Sequence, residues 1–118
     1  MFQLIKSSLL FLLLDSIFIY LNRKMFMDQI KVVQGSPLQV NIVGTILSYV
    51  FLLLGLNYFI LREHRSAFDA FVLGLVIYGV YETTTYALLK NWNIRTVITD
   101  TLWGGILFGT TTYLTYRM

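Results

Sequence analysis

Three acidic side chains lie inside stretches of sequence that are otherwise apolar, namely Asp15, Glu82 and Asp100. A carboxyl group in such a setting is costly to bury, and in membrane proteins it usually faces a helical interior or a cavity. There it can take up a proton, hold a cation, bind a ligand, or join helices through hydrogen bonds. The chemistry of this chain is therefore expected at these three residues.

The three acids lie at similar distances from the basic residues that flank their segments. Asp15 and Glu82 are each eight residues from such a residue, and Asp100 is five residues from one. At the rise of an α-helix, these separations correspond to a depth of roughly 8 to 12 Å. The sequence therefore predicts that three helices each bring one carboxyl group to a common level.

Polar and aromatic side chains recur at helical spacing near the acids, which predicts a shared inner face. The supporting residues are Thr45, Ser48, Tyr78, Tyr81, Thr85, Arg95 and Trp103. Thr45 is expected close to the level of the acids. Arg95 could reach inward or extend outward to the membrane surface, and the sequence leaves both arrangements open.

Enzymatic chemistry finds little support in the sequence. No Ser or Cys nucleophile stands beside a base, there is no histidine cluster, and there is no glycine-rich phosphate loop. We therefore assign no catalytic residue and expect no cofactor. A metal ion held by the three carboxyl groups stays an open alternative.

The composition is typical of a protein that resides in lipid. Of the 118 residues, 57% are hydrophobic and only 13% are charged, and the mean hydropathy is +0.69. A water-soluble domain of this size would lack the polar surface to cover so much apolar material. The net charge of +3 is scattered over segment ends and forms no basic face, so nucleic acid is not an expected partner. The absence of cysteine excludes disulfides and thiolate chemistry.

Four apolar segments are long enough to cross a bilayer, over residues 4–23, 38–61, 67–90 and 94–116. Short connections between them predict one all-α domain, an antiparallel four-helix membrane bundle with both termini on the same side. The longer link, residues 24–36, has apolar positions at helical spacing. It is expected either to extend the first helix or to lie in the membrane interface.

Local signals mark several helix ends. Ser36 and Pro37 predict the start of the second span, Ser66 that of the third, and Asn93 that of the fourth. A glycine pair, Gly105 and Gly109, predicts close helix packing inside the bundle.

The segments YGVYETTTYALLKNW and DTLWGGILFG resemble an uncharacterised family of small four-helix membrane proteins, a domain of unknown function with members in bacteria and large DNA viruses. The chain departs from the family pattern at Glu82, Thr85 and Phe18, where that pattern has Asp, Asn and Trp. The resemblance implies the fold and a shared polar core, but it implies no reaction. The matching residues are Asp15, Tyr78, Tyr81, Thr84, Trp92, Asp100, Trp103 and Gly104.

The function expected from these observations is a structural or scaffolding role in a cell or virion membrane. Two alternatives stay open. The chain could be a proton or cation channel or transporter subunit that uses the carboxyl groups, or a module or enzyme that binds lipid or a small ligand. Membrane lipids are the expected partners, and formation of a homo-oligomer is left open.

Overall fold

The secondary structure is helical throughout the computed structural model, which describes residues 2–36, 39 and 41–118, and no strand occurs in these residues. The α-helices are α1 (Phe2–Leu21), α2 (Arg23–Gln34), α3 (Ile42–Leu56), α4 (Ala67–Leu88) and α5 (Ile94–Arg117). Helix α3 continues directly into a π-helical turn, Asn57–Leu61.

The starts of α4 and α5 are fixed by side-chain caps, as predicted. Ser66 Oγ accepts a hydrogen bond from the backbone N–H of Asp69 at 3.1 Å. Asn93 Oδ1 accepts one from the backbone N–H of Arg95 at 2.8 Å. Each cap satisfies an N–H that has no partner within the helix, and so it defines where the helix begins.

The start of α3 lies later than predicted. Asn41 is extended, with φ −91° and ψ 108°, and its side chain accepts a hydrogen bond from the backbone N–H of Gly44 at 3.0 Å. The helix therefore begins at Ile42, and Asn41 acts as its cap. The predicted role of Pro37 as first helical residue lies outside the described residues.

Residues 24–36 mostly form a separate helix, α2, rather than a continuous extension of α1. The break occurs at Asn22, whose φ is −110° and whose side-chain amide donates to the carbonyl of Phe18 at 3.0 Å. At the other end, Gly35 adopts a left-handed conformation with φ +76°, which favours glycine and ends the helix.

A buried glutamine ties α2 to the turn between α4 and α5. The Gln29 side-chain nitrogen donates to the carbonyl of Asn91 at 2.9 Å. Its oxygen accepts from the backbone N–H of Asn93 at 2.8 Å and from the hydroxyl of Thr96 at 3.0 Å. Three hydrogen bonds from one side chain therefore hold the α4–α5 turn against α2.

Helices α4 and α5 run in opposite directions and approach most closely where glycines face each other. A Cβ on Gly74 would collide with the carbonyl oxygen of Gly104 and lie 2.8 Å from Cβ of Phe108. A Cβ on Gly109 would lie 3.3 Å from the carbonyl of Ala67. The close packing predicted for the glycine pair therefore occurs between helices of the same chain.

Apolar side chains dominate the outside, as expected for a protein in lipid. Three helices are long and apolar enough to cross a membrane, Phe2–Leu21, Ile42–Leu61 and Ala67–Leu88. The molecule measures 43 Å along its longest axis, against about 30 Å for the hydrocarbon core of a bilayer.

The helix α5, predicted as a fourth span, is not among these three apolar helices because it carries many polar residues. Most of these polar side chains point inward, however. The buried ones are Thr96, Thr111, Thr112 and Thr115. Its exposed face is apolar between the end residues, with side chains from Ile94, Ile98, Leu102, Ile106 and Tyr113. The helix packs against both α4 and α1, so it occupies the centre of the fold.

The apolar core lies between α1, the end of α3, α4 and α5. At its centre, the ring of Phe11 meets that of Phe108 edge to face at a centroid distance of 5.5 Å, and that of Tyr49 at 6.2 Å. The buried members are Phe11, Leu56, Ile60, Leu61, Ala70, Leu107 and Phe108.

Replacing Gly74 by alanine is expected to destabilise the fold by about 1 to 3 kcal/mol, because a backbone carbonyl of α5 blocks the new methyl group. Gly79→Ala on the same helix is the matched control, since its Cβ would lie an ordinary 3.5 Å from Thr101. Unfolding of both variants in a mixed-micelle denaturant titration measures the difference. Equal midpoints would contradict the packing described here.

Replacing Gln29 by leucine is expected to free α2 from the α4–α5 turn, because the backbone N–H of Asn93 loses its acceptor. Hydrogen–deuterium exchange should then rise across residues 23–34 and 91–96. Gln34→Leu serves as control, since Gln34 is exposed at the end of the same helix. A similar increase in that control would show that exchange reports helix fraying alone.

Candidate functional site

The carboxyl group of Asp15 joins three helices. It lies on α1, is only 6% exposed, and accepts hydrogen bonds from both neighbouring helices. Trp103 on α5 donates its indole N–H to Oδ1 at 2.9 Å. Tyr49 on α3 donates its hydroxyl to Oδ2. Because each carboxyl oxygen has a donor, the cost of burying this group is offset by hydrogen bonds.

Aromatic packing holds the Trp103 donor in place. The ring of Phe18, one turn along α1 from Asp15, stacks on the Trp103 indole at 4.5 Å with an interplanar angle of 2°. Phe26 of α2 meets the Phe18 ring edge to face at 5.9 Å. The indole therefore has its face covered and its N–H directed at the carboxyl group, an arrangement that suits the amphipathic tryptophan ring.

The carboxyl group of Glu82 is the most deeply buried of the three, at 1% exposure. Its Oε1 accepts from the indole N–H of Trp92 at 3.0 Å. The side chain of Asp100 on α5 lies within electrostatic reach of this carboxyl group. The Trp92 indole therefore supplies a neutral donor to a carboxyl group that is buried between α4 and α5.

The three acids predicted from the sequence lie in one region of the fold, which we call the carboxyl cluster (Asp15, Glu82 and Asp100). Glu82 and Asp15 both lie close enough to Asp100 for electrostatic interaction, and Asp15 is also close to Tyr78. None of the three lies on the outer wall, where a carboxyl group would face lipid.

Among the residues that the structure describes, no ion pair involves the carboxyl cluster. The ion pairs among the described residues are Arg62–Glu63 and Arg65–Asp69, both exposed. Arg95, for which two orientations were left open, is exposed and lines a surface pocket beside Lys24 and Asp28. Within the described part of the chain, no group of three acidic or histidine side chains is arranged to hold a metal ion.

Asp100 also faces a cleft of about 530 Å³ between α3, α4 and α5. Exposed residues at its rim, Ser48, Phe51 and Tyr81, show that the cleft opens on the outer surface of the helices. We call this space the lateral cleft; it is lined by Ser48, Phe51, Leu52, Ile77, Tyr78, Tyr81 and Asp100.

The hydroxyl groups predicted to support the acids mostly satisfy their own helices. Thr45 is exposed, and its hydroxyl donates to the carbonyl of Asn41 at 2.9 Å, so it does not reach the cluster. The Ser48 hydroxyl donates to the carbonyl of Gly44 at 3.0 Å, and that of Thr85 to Tyr81 at 2.8 Å. Such bonds back to the preceding turn are a common way to place Ser and Thr in an apolar helix.

Sequence reasoning missed several of the residues that complete the site. Tyr49 was not singled out, although it is the α3 partner of Asp15. Trp92 matches the family pattern but was not assigned a partner, and the structure pairs it with Glu82. Gln29 carried one usable signal, a polar side chain close to the apolar positions of an amphipathic segment.

The arrangement can do two things chemically. The Asp15 carboxyl group, with donors on both oxygens, holds helices together and has little capacity to bind anything else. The Glu82–Asp100 pair brings two carboxyl groups near each other and has one member facing an open cleft, a placement that suits proton exchange or contact with a bound group.

Comparison with known proteins agrees with the membrane character of the fold. The model of a family described as "Predicted membrane protein (DUF2177)" matches residues 1–117. Comparisons with curated proteins and with solved structures gave no match. The match spans nearly the whole chain and confirms the resemblance to an uncharacterised membrane family. With three helices able to cross a bilayer, the chain is a multi-pass membrane protein and belongs to the DUF2177 family of predicted membrane proteins.

Proposed function

We propose that this chain is a structural membrane protein in which buried carboxyl groups hold four membrane-spanning helices in register. The observation that carries the proposal is the Asp15 carboxyl group, which accepts hydrogen bonds from Tyr49 on α3 and Trp103 on α5. In lipid, where apolar surfaces alone give no preference for one partner over another, such polar contacts specify which helices associate.

The proposed architecture is an antiparallel four-helix bundle of α1, α3, α4 and α5, with both chain termini on the same side. It is supported at one end by the hydroxyl of Tyr116, which donates to the carbonyl of Arg65 at 2.6 Å, and by Lys6 Nζ, which donates to the carbonyl of Thr115 at 3.4 Å. The apolar outer stripe of α5 supports its inclusion as a fourth span, because the polar face of that helix is covered by its neighbours.

Scaffolding in a cell or virion membrane would use the apolar exterior. In the membrane-spanning window of Ile42–Leu61, only 6% of the residues are buried. This surface would pack against lipid acyl chains or against another copy of the chain.

Removing the Tyr49 hydroxyl by Tyr49→Phe is expected to lower stability by about 1 to 3 kcal/mol, because it leaves one oxygen of a buried carboxylate without its donor. Tyr113→Phe is the matched control, since Tyr113 is exposed on α5. Unfolding of the purified protein in mixed micelles, followed by helicity, gives both values.

The same substitution in an Asp15→Asn background should cost less, because the carboxyl acceptor is already gone. Asp15→Asn alone should lower stability while the helices remain in place. Additive losses in this cycle, or a Tyr49→Phe variant as stable as the control, would remove the basis for the structural role.

A second candidate function is proton handling by the Glu82–Asp100 pair. It is favoured by one observation, two neighbouring carboxyl groups of which Asp100 faces the lateral cleft. Four helices enclose little water, so permeation would require several copies of the chain or a movement of the helices.

Proton flux into liposomes containing a pH-sensitive dye tests this candidate. A conducting protein should lose most of its flux on Glu82→Gln or Asp100→Asn and keep it on Glu63→Gln, whose side chain is exposed beside Arg62. If the folded wild-type protein gives no flux under any imposed gradient, proton handling is excluded.

A further inference from the structure

The lateral cleft combines a lipid-accessible opening with one acidic group. Asp100 is the only charged residue among those that line it. The remaining walls are apolar or aromatic apart from Ser48, and are formed by Phe51, Leu52, Ile77, Tyr78 and Tyr81. A ligand that fits would therefore carry both an apolar part and a group that complements a carboxylate.

Among the described residues, Asp100 takes part in no ion pair, so the carboxyl group that lines the cleft has no cationic partner there. The ion pairs in the described residues involve Arg62 and Arg65, which are exposed and belong to the α3–α4 turn region. An unpaired charge in a medium of low polarity is costly, so binding of a cation there is favoured.

We propose that the lateral cleft binds a primary ammonium group carried on an apolar chain. The ammonium group donates hydrogen bonds to the Asp100 carboxyl group, and the rings of Tyr78 and Tyr81 add cation–π attraction. The chain packs against Phe51, Leu52 and Ile77. Because the rim is exposed between α3 and α4, such a ligand enters sideways from the lipid.

A free long-chain amine and the amine headgroup of a membrane lipid share this chemistry. Entry from the side suits both, since each keeps its apolar chain in the membrane throughout. This proposal adds a ligand to the structural role and to proton handling. It can fail even if Tyr49→Phe lowers stability as expected, and it does not require proton flux through the protein.

Photolabelling of the protein in phosphatidylcholine nanodiscs tests the proposal. The probe is dodecylamine carrying a photoreactive diazirine, and the matched control is the corresponding dodecanol. The amine probe should label residues 48–52 and 77–81, and excess dodecylamine should suppress that labelling. Equal labelling of these segments by the alcohol probe, or amine labelling spread evenly over all helices, would overturn the proposal with the wild-type protein alone.

Two cleft variants then test separately the contribution of the Asp100 carboxyl group and that of the cleft volume. Asp100→Asn, which keeps the shape of the side chain, should reduce labelling about tenfold or more because the charged acceptor is lost. Leu52→Trp should reduce it similarly by filling the cleft, and Glu63→Gln should leave it unchanged. Thermal unfolding shows which variants are folded, and wild-type labelling in either folded cleft variant would contradict the proposed site.

The source of the ammonium group is identified by adding phosphatidylethanolamine to the nanodiscs. Suppression of the labelling by this lipid points to a headgroup amine, and unchanged labelling points to a free alkylamine. Both results support an ammonium site in the lateral cleft.

Discussion

Two buried carboxyl groups, those of Asp15 and Glu82, have hydrogen-bond donors that lie outside their own helices. Asp15 takes both of its donors from other helices, Tyr49 of α3 and Trp103 of α5. Glu82 takes one from Trp92, just before α5 begins. Moving one of these neighbouring segments would leave a buried carboxyl group without its donor, at a cost of several kcal/mol.

This requirement explains why α5 is both the most polar helix and the most central one. It supplies the Trp103 donor to Asp15, carries Asp100 close to Glu82, and packs against α1 and α4. A helix with that many polar groups would be unstable facing lipid, but its outward stripe is apolar. Burying the polar face of α5 leaves its apolar face exposed. This is the reverse of the arrangement in a helix of a water-soluble protein.

The features predictable from the sequence were those set by local interactions. The caps at Ser66 and Asn93 involve residues two or three positions apart, and both were identified. The glycine contacts between α4 and α5 follow from small residues at helical spacing in two adjacent segments. The burial of the acids followed from their cost in lipid.

The pairing of Asp15 with its two donors could not be predicted, although Trp103 was expected among the supporting residues, because both donors are far away in the chain. Asp15 and Tyr49 are 34 residues apart, and Asp15 and Trp103 are 88 apart. For Thr45, the prediction itself was wrong. Its spacing suggested an inward face, but α3 makes few contacts with its neighbours, and the hydroxyl is satisfied by its own helix. Periodicity identifies a polar face, but it does not show whether another helix covers that face.

The close contact between α4 and α5 sets the geometry of the whole carboxyl cluster. Gly104 lies against Gly74 and Tyr78 at the point where the two helices meet. Trp103 is the residue next to this contact, and Asp100 lies one helical turn away from it on the same helix. A bulkier residue at the contact would push α5 outward, which would draw Trp103 away from Asp15 and Asp100 away from Glu82 together. The absence of a side chain at Gly74 and Gly104 is therefore what allows acids on three helices to meet in one place.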